Sequence, residues 1–96
     1  MRALYDSEAH AMWIDVLDPP SATSTGADDD AYPVLVHYDD DRLIGVEILC
    51  ADDLPESQIV NALAGLDLDV PSVLAAWRAG LAAPDRHVAV GPAPAA

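Results

Sequence analysis

The sequence predicts an α+β domain: a four-stranded antiparallel β-meander followed by two C-terminal helices. Two observations carry that prediction. In residues 1–51, apolar side chains recur with period two in short runs bounded by turn formers; after residue 53 they recur at helical spacing. The length, 96 residues, fits one small domain.

The elements follow in order. Residues 2–5 (RALY) form a first short strand, and 6–10 (DSEAH) a turn. In AMWIDVL, Met12, Ile14 and Val16 point one way, and Trp13, Asp15 and Leu17 the other, so a second strand pairs with the first as a hairpin. Residues 18–33 (DPPSATSTGADDDAYP) have no periodicity and read as a long loop. Val34, Val36 and Tyr38 then alternate with Leu35 and His37. Ile44, Val46 and Ile48 alternate with Leu43, Gly45, Glu47 and Leu49. Asp39, Asp40 and Asp41 lie between these strands as a hairpin tip, since Asp tolerates turn geometry and hydrogen-bonds its own backbone. Asp53 and Glu56 have the spacing of a capping box for a first helix bearing Ile59, Val60, Leu63 and Leu66 and stopped by Gly65. A second helix starts near Pro71, capped by Asp69 or Ser72. It carries Val73, Leu74, Trp77 and Leu81, is weakened by Gly80 and ends at Pro84. One domain thus covers residues 1–83, with a β core at 1–51 and a helical part at 53–83. Residues 84–96 are expected as a flexible tail with one extended piece at Val88–Val90.

Charge narrows the functional classes. Seventeen acids oppose four arginines, a net charge of −13, and Lys is absent. Residues 1–53 hold thirteen acids and two arginines, a net −11, leaving −2 for the remainder. Such a surface repels nucleic acid and anionic membranes and favours cations or basic proteins. It also simply keeps a small protein soluble. One cysteine, Cys50, excludes an intrachain disulfide. With no visible signal peptide and no apolar run of about 20 residues, the expected location is cytoplasmic. Abundant Ala, Asp and Pro without Lys points to a GC-rich bacterial genome.

Two motifs carry a resemblance. Tyr5, Asp6, Glu8, Ala9, Ala11, Met12, Trp13 and Ile14 make the first; Tyr38, Asp39, Gly45, Val46, Glu47, Ile48 and Leu49 make the second. Together, over about residues 2–51, they resemble the small prokaryotic family catalogued as domain of unknown function twenty-two eighty-three. Here His10 stands where an Asp is common, the hairpin tip lacks a Gly, loop 18–33 is longer, and the helical half lies outside the family core. The resemblance implies no activity. It implies an antitoxin-like or partner-binding role, because such proteins are often encoded beside small toxin-like ones.

Residue chemistry adds little. The runs Asp28–Asp30 and Asp39–Asp41 lack the alternate spacing and turning Gly of a calcium loop, and adjacent extended side chains diverge, so no metal site is expected. His10, His37 and Cys50 lack zinc spacing. Ser7 lies near His10 in a turn, with no nucleophile elbow. Glu47 sits mid-strand, on the polar sheet face or opposite an arginine such as Arg42 or Arg78. Trp77 packs on the sheet or docks another chain.

Three functions stay open. The first is a non-catalytic acidic binding or regulatory protein, antitoxin-like by the resemblance, that engages a basic protein partner. It uses no cofactor, nucleic acid or membrane, and its candidate contacts are Asp39, Asp40, Asp41 and Trp77. The second is a small metal-dependent or hydrolytic enzyme using clustered Asp and His. The third is a structural subunit of a larger assembly. A homodimer is also expected, because so short a chain buries a modest share of its surface alone.

Overall fold

A computed structural model describes residues 1–17 and 23–91. It is α+β, with an antiparallel sheet on one side and two helices on the other. The strands are β1 (Arg2–Asp6), β2 (Ala11–Asp15), β3 (Gly26–Asp28), β4 (Val34–Asp39), β5 (Arg42–Leu49) and β6 (His87–Ala89). The helices α1 (Glu56–Leu63) and α2 (Val70–Ala82) lie between β5 and β6.

The sheet has six strands rather than four, in the order β3-β4-β5-β2-β1-β6. It is also not a simple meander. In a meander β2 would pair with the strand entered after the long loop; instead it pairs with β5, Ile14 opposite Val46. The connection after β2 is long enough to carry the chain to the far edge, where β3 starts and β4 and β5 fold back toward β2. Within the expected loop, Gly26–Asp28 pairs with Val36–Tyr38 as β3; residues 18–22 of that loop lie outside the described residues. Within the expected tail, His87–Ala89 pairs with β1 as β6, and Val90 N–H donates to Met1 O at 2.9 Å. The final five residues lie outside the described residues.

Alternation decides which face is covered. Ala3, Tyr5, Met12, Ile14, Val34, Val36, Val46 and Ile48 point toward the helices and form one core with Ile59, Leu63, Val73, Leu74, Ala76 and Trp77. Helix α2 lies on β1, β2 and β6, and α1 packs against α2. Gly80 permits this closeness: a Cβ there would sit 2.6 Å from Met12 Sδ.

The helix boundaries test the capping rules. Asp69 caps α2, accepting from Ser72 N at 3.4 Å and Ser72 Oγ at 2.7 Å, with Pro71 in the first turn. Asp53 does not cap α1. The N-cap is Pro55, without a side-chain hydrogen bond, because Asp53 is held in a turn by its N–H to Cys50 O. Gly65, at φ 81°, follows α1 as expected of a helix stop.

Candidate functional site

The chain reverses at one end of the sheet in four places, and each brings exposed acids. The register aligns Asp6, Ala11 and Leu49 across β1, β2 and β5, and Leu49 N–H donates to Pro33 O before β4. The turns at 7–10, 29–33, 50–55 and 83–86 therefore share this end. Asp6 and Glu8 come from the first, Asp28, Asp29 and Asp30 from the second, Asp52 and Asp53 from the third, and Asp85 from the fourth, all exposed. From β3 to β1 this rim spans about 19 Å, four strand spacings. Of the basic residues near it, Arg86 follows Asp85, and Arg78 is hydrogen-bonded to Glu56.

Hydrogen bonds fix two of these carboxylates, Asp6 and Asp85, in place. Asp6 Oδ1 accepts from Glu8 N (3.0 Å) and Ala9 N (3.1 Å). Ser7 donates to Asp85 twice, from N (2.9 Å) and Oγ (2.6 Å), which holds the Asp85 carboxyl below its ordinary range. Burial, and then the neighbouring carboxylates of Asp52, Asp85 and Asp6, hold the Tyr5 phenol above its ordinary range.

Within the rim lies a cavity of about 410 Å3 lined by Ala9, His10, Cys50, Asp52 and Asp53. His10 Nδ1 lies 3.3 Å from Asp52 Oδ2. His10 (φ 56°) and Cys50 (φ 53°) both adopt the left-handed conformation, and Ala51 N–H donates to His10 O at 2.9 Å, joining the two walls. The carboxylate of Asp53 has no hydrogen-bond or ion-pair partner among the described residues. The Cys50 thiol is free and exposed.

A second group of side chains occupies the sheet face away from the helices. Asp15 is buried there, accepting from Trp13 Nε1 at 2.7 Å and Arg2 Nε at 3.3 Å. The Trp13 ring meets His37 edge-on with centroids 4.7 Å apart. His37 Nε2 lies 3.0 Å from Glu47 Oε1, and His37 Nδ1 lies 3.2 Å from Ser24 Oγ. An ionised Glu47 only accepts, so Nε2 carries the proton. In a neutral ring Nδ1 then accepts from Ser24, whose hydroxyl also lies 3.2 Å from Gly26 O. Glu47 is thus partnered by His37, not by Arg42 or Arg78. The group borders neither the cavity at His10 and Cys50 nor the one beside the β4–β5 tip.

The sequence-predicted contacts fall elsewhere. Asp39, Asp40 and Asp41 form the β4–β5 tip at the opposite end of the sheet, with Asp40 at φ 54° and Asp39 3.8 Å from Arg42. Asp41 borders a cavity of about 570 Å3 between this tip and the α1–α2 turn, together with Tyr38, Arg42, Leu66 and Asp67. Trp77 is a core residue, 9% exposed, and its indole N–H donates to Ala51 O at 2.9 Å, so it offers no contact surface. The run Asp28–Asp30 corrects a second expectation. Its carboxylate oxygens do not diverge but lie within 4.8 Å of one another, because Asp30 N–H bonds Asp28 Oδ1 and curls the segment into a turn.

The rim escaped sequence reasoning because its acids lie up to 79 positions apart, from Asp6 to Asp85. The available signal was that acids flank nearly every strand end. Comparisons with protein-family models, curated proteins and solved structures return no significant match to the chain.

Proposed function

We propose that the chain is a non-catalytic acidic binding protein that engages a basic protein partner through the rim. One observation carries the reading: eight exposed carboxylates from four separate turns converge on one end of the sheet. Carboxylates within a Debye length of about 8–10 Å act as one negative surface, which speeds encounter with a basic partner and disfavours acidic ones. The resemblance to domain of unknown function twenty-two eighty-three adds an antitoxin-like role, with a small basic toxin as the partner. The experiment is affinity capture from the native host at low and high salt. A basic protein recovered at low salt and lost as salt rises supports the reading; recovery of no basic protein at low salt ends it.

A second reading, hydrolysis, has one observation in its favour. Ser24, His37 and Glu47 are hydrogen-bonded in the order of nucleophile, base and orienting acid. Turnover of an activated ester that disappears in Ser24→Ala and in His37→Ala would favour it; equal rates for the three proteins would remove it.

A further inference from the structure

We infer that the cavity between the β1–β2 turn and the β5–α1 turn is an anchor pocket for an arginine side chain of a basic protein partner. The inference rests on the rim being the partner site and names what enters it.

The lining matches an arginine part by part. Ala9 and the Cys50 thiol offer apolar wall for the three methylenes of the stem. Asp53 offers the carboxylate for the head, having no partner of its own among the described residues, while Asp52 beside it is already engaged by His10 and adds negative charge. A guanidinium pairs with carboxylates through two parallel hydrogen bonds and stacks on flat rings such as that of His10, whereas an ammonium does neither. The depression, about 410 Å3, is open to solvent, so a side chain can enter it from a partner's surface. Charge complementarity selects the source. The surrounding acids favour an arginine embedded in a basic segment over an isolated one, because neighbouring cations meet Asp6, Glu8 and Asp28–Asp30. The walls are set before binding, since Ala51 N–H to His10 O ties the two turns together.

The test uses the full chain and a nine-residue arginine peptide in low salt, with affinity read by calorimetry and pocket occupancy by the rate at which iodoacetamide alkylates Cys50. The expected result is binding that slows Cys50 alkylation about tenfold, weakens about tenfold in Asp53→Asn, and changes only about twofold in Asp30→Asn on the same rim. A nine-residue lysine peptide should bind more weakly and protect Cys50 less. No binding of either peptide overturns the rim reading and the anchor with it. Binding without protection of Cys50, or with Asp53→Asn no worse than Asp30→Asn, overturns the anchor and leaves the rim. Equal behaviour of the lysine peptide overturns the choice of arginine, and protection by calcium alone at matched ionic strength assigns the pocket to a metal ion instead.

Discussion

Single residues on the sheet face away from the helices show how closely side chains constrain backbone choice. Gly45 lies diagonally across from Trp13, and a Cβ there would fall 2.6 Å from Trp13 Cζ2 and 3.2 Å from Ile14 O. Gly45→Ala should therefore displace the indole from Asp15 and cost about 1–3 kcal/mol in chemical denaturation, with a change in tryptophan emission. A stability equal to wild type would show that the ring moves freely. Nothing in the sequence linked Gly45 to Trp13, because the contact depends on which strand β2 chooses as its neighbour. Asp85 gives a second prediction. Its hydrogen bonds from Ser7 lower its pKa below 3.8, the ordinary value. A carboxyl lowered by folding adds stability that is present above the unfolded value and is lost as pH falls through the folded one. In Ser7→Ala one of the two bonds is gone, so the Asp85 pKa, followed by carboxyl-carbon NMR, should rise toward 3.8. The acid-side loss of stability should then be smaller and complete at a higher pH, with its onset near the unfolded value unchanged; an unmoved pKa would assign the whole effect to the Ser7 N–H.

At the scale of elements, what could be read from the sequence was what local pattern determines. The strands around Tyr5, Met12, Val36 and Val46 alternate over five to eight residues, and α2 announces itself by Asp69, Pro71 and a helical apolar stripe. The edge strands β3 and β6 have three residues each, too few for a period to show, and exist because β4 and β1 offer them free backbone groups. The capping box at Asp53 failed for a related reason. A left-handed Cys50 turns the chain so that Asp53 closes a turn before the helix begins. The two helix starts therefore respond differently to the same change. Asp69→Ala removes a side chain that accepts from Ser72 N and Oγ and should cost about 1 kcal/mol. Asp53→Ala touches no helix-capping bond and should leave stability within about 0.5 kcal/mol of wild type. Thermal melts of the two variants separate these outcomes, and equal losses would mean that Asp53 supports α1 in a way its geometry does not display.

For the whole molecule, the net charge was plain from composition, whereas its concentration on one rim required the pairing of β2 with β5 and the return of residues 84–86 to β1. That concentration makes salt act with opposite signs on folding and on binding. In the free chain, Asp28, Asp29 and Asp30 hold carboxylate oxygens within 4.8 Å of one another, and a net charge of −13 opposes compaction. Raising NaCl from 0.05 to 0.5 M shortens the Debye length to well below about 10 Å and relieves this repulsion. Tm should rise, by about 5 °C if the relief is worth about 1 kcal/mol in a domain of this size. Over the same range the affinity for an arginine peptide should fall, because the charges that repel one another are those that attract the peptide. Replacing Asp28, Asp29 and Asp30 together by Asn separates cause from coincidence. The triple variant should melt higher than wild type at low salt, gain less from added NaCl, and bind the peptide with a shallower salt dependence. If its Tm at 0.05 M NaCl equals that of wild type, the Asp28–Asp30 run is not where the molecule stores its repulsion. The salt response would then belong to carboxylates elsewhere, with the Asp39–Asp41 tip as the next run to replace.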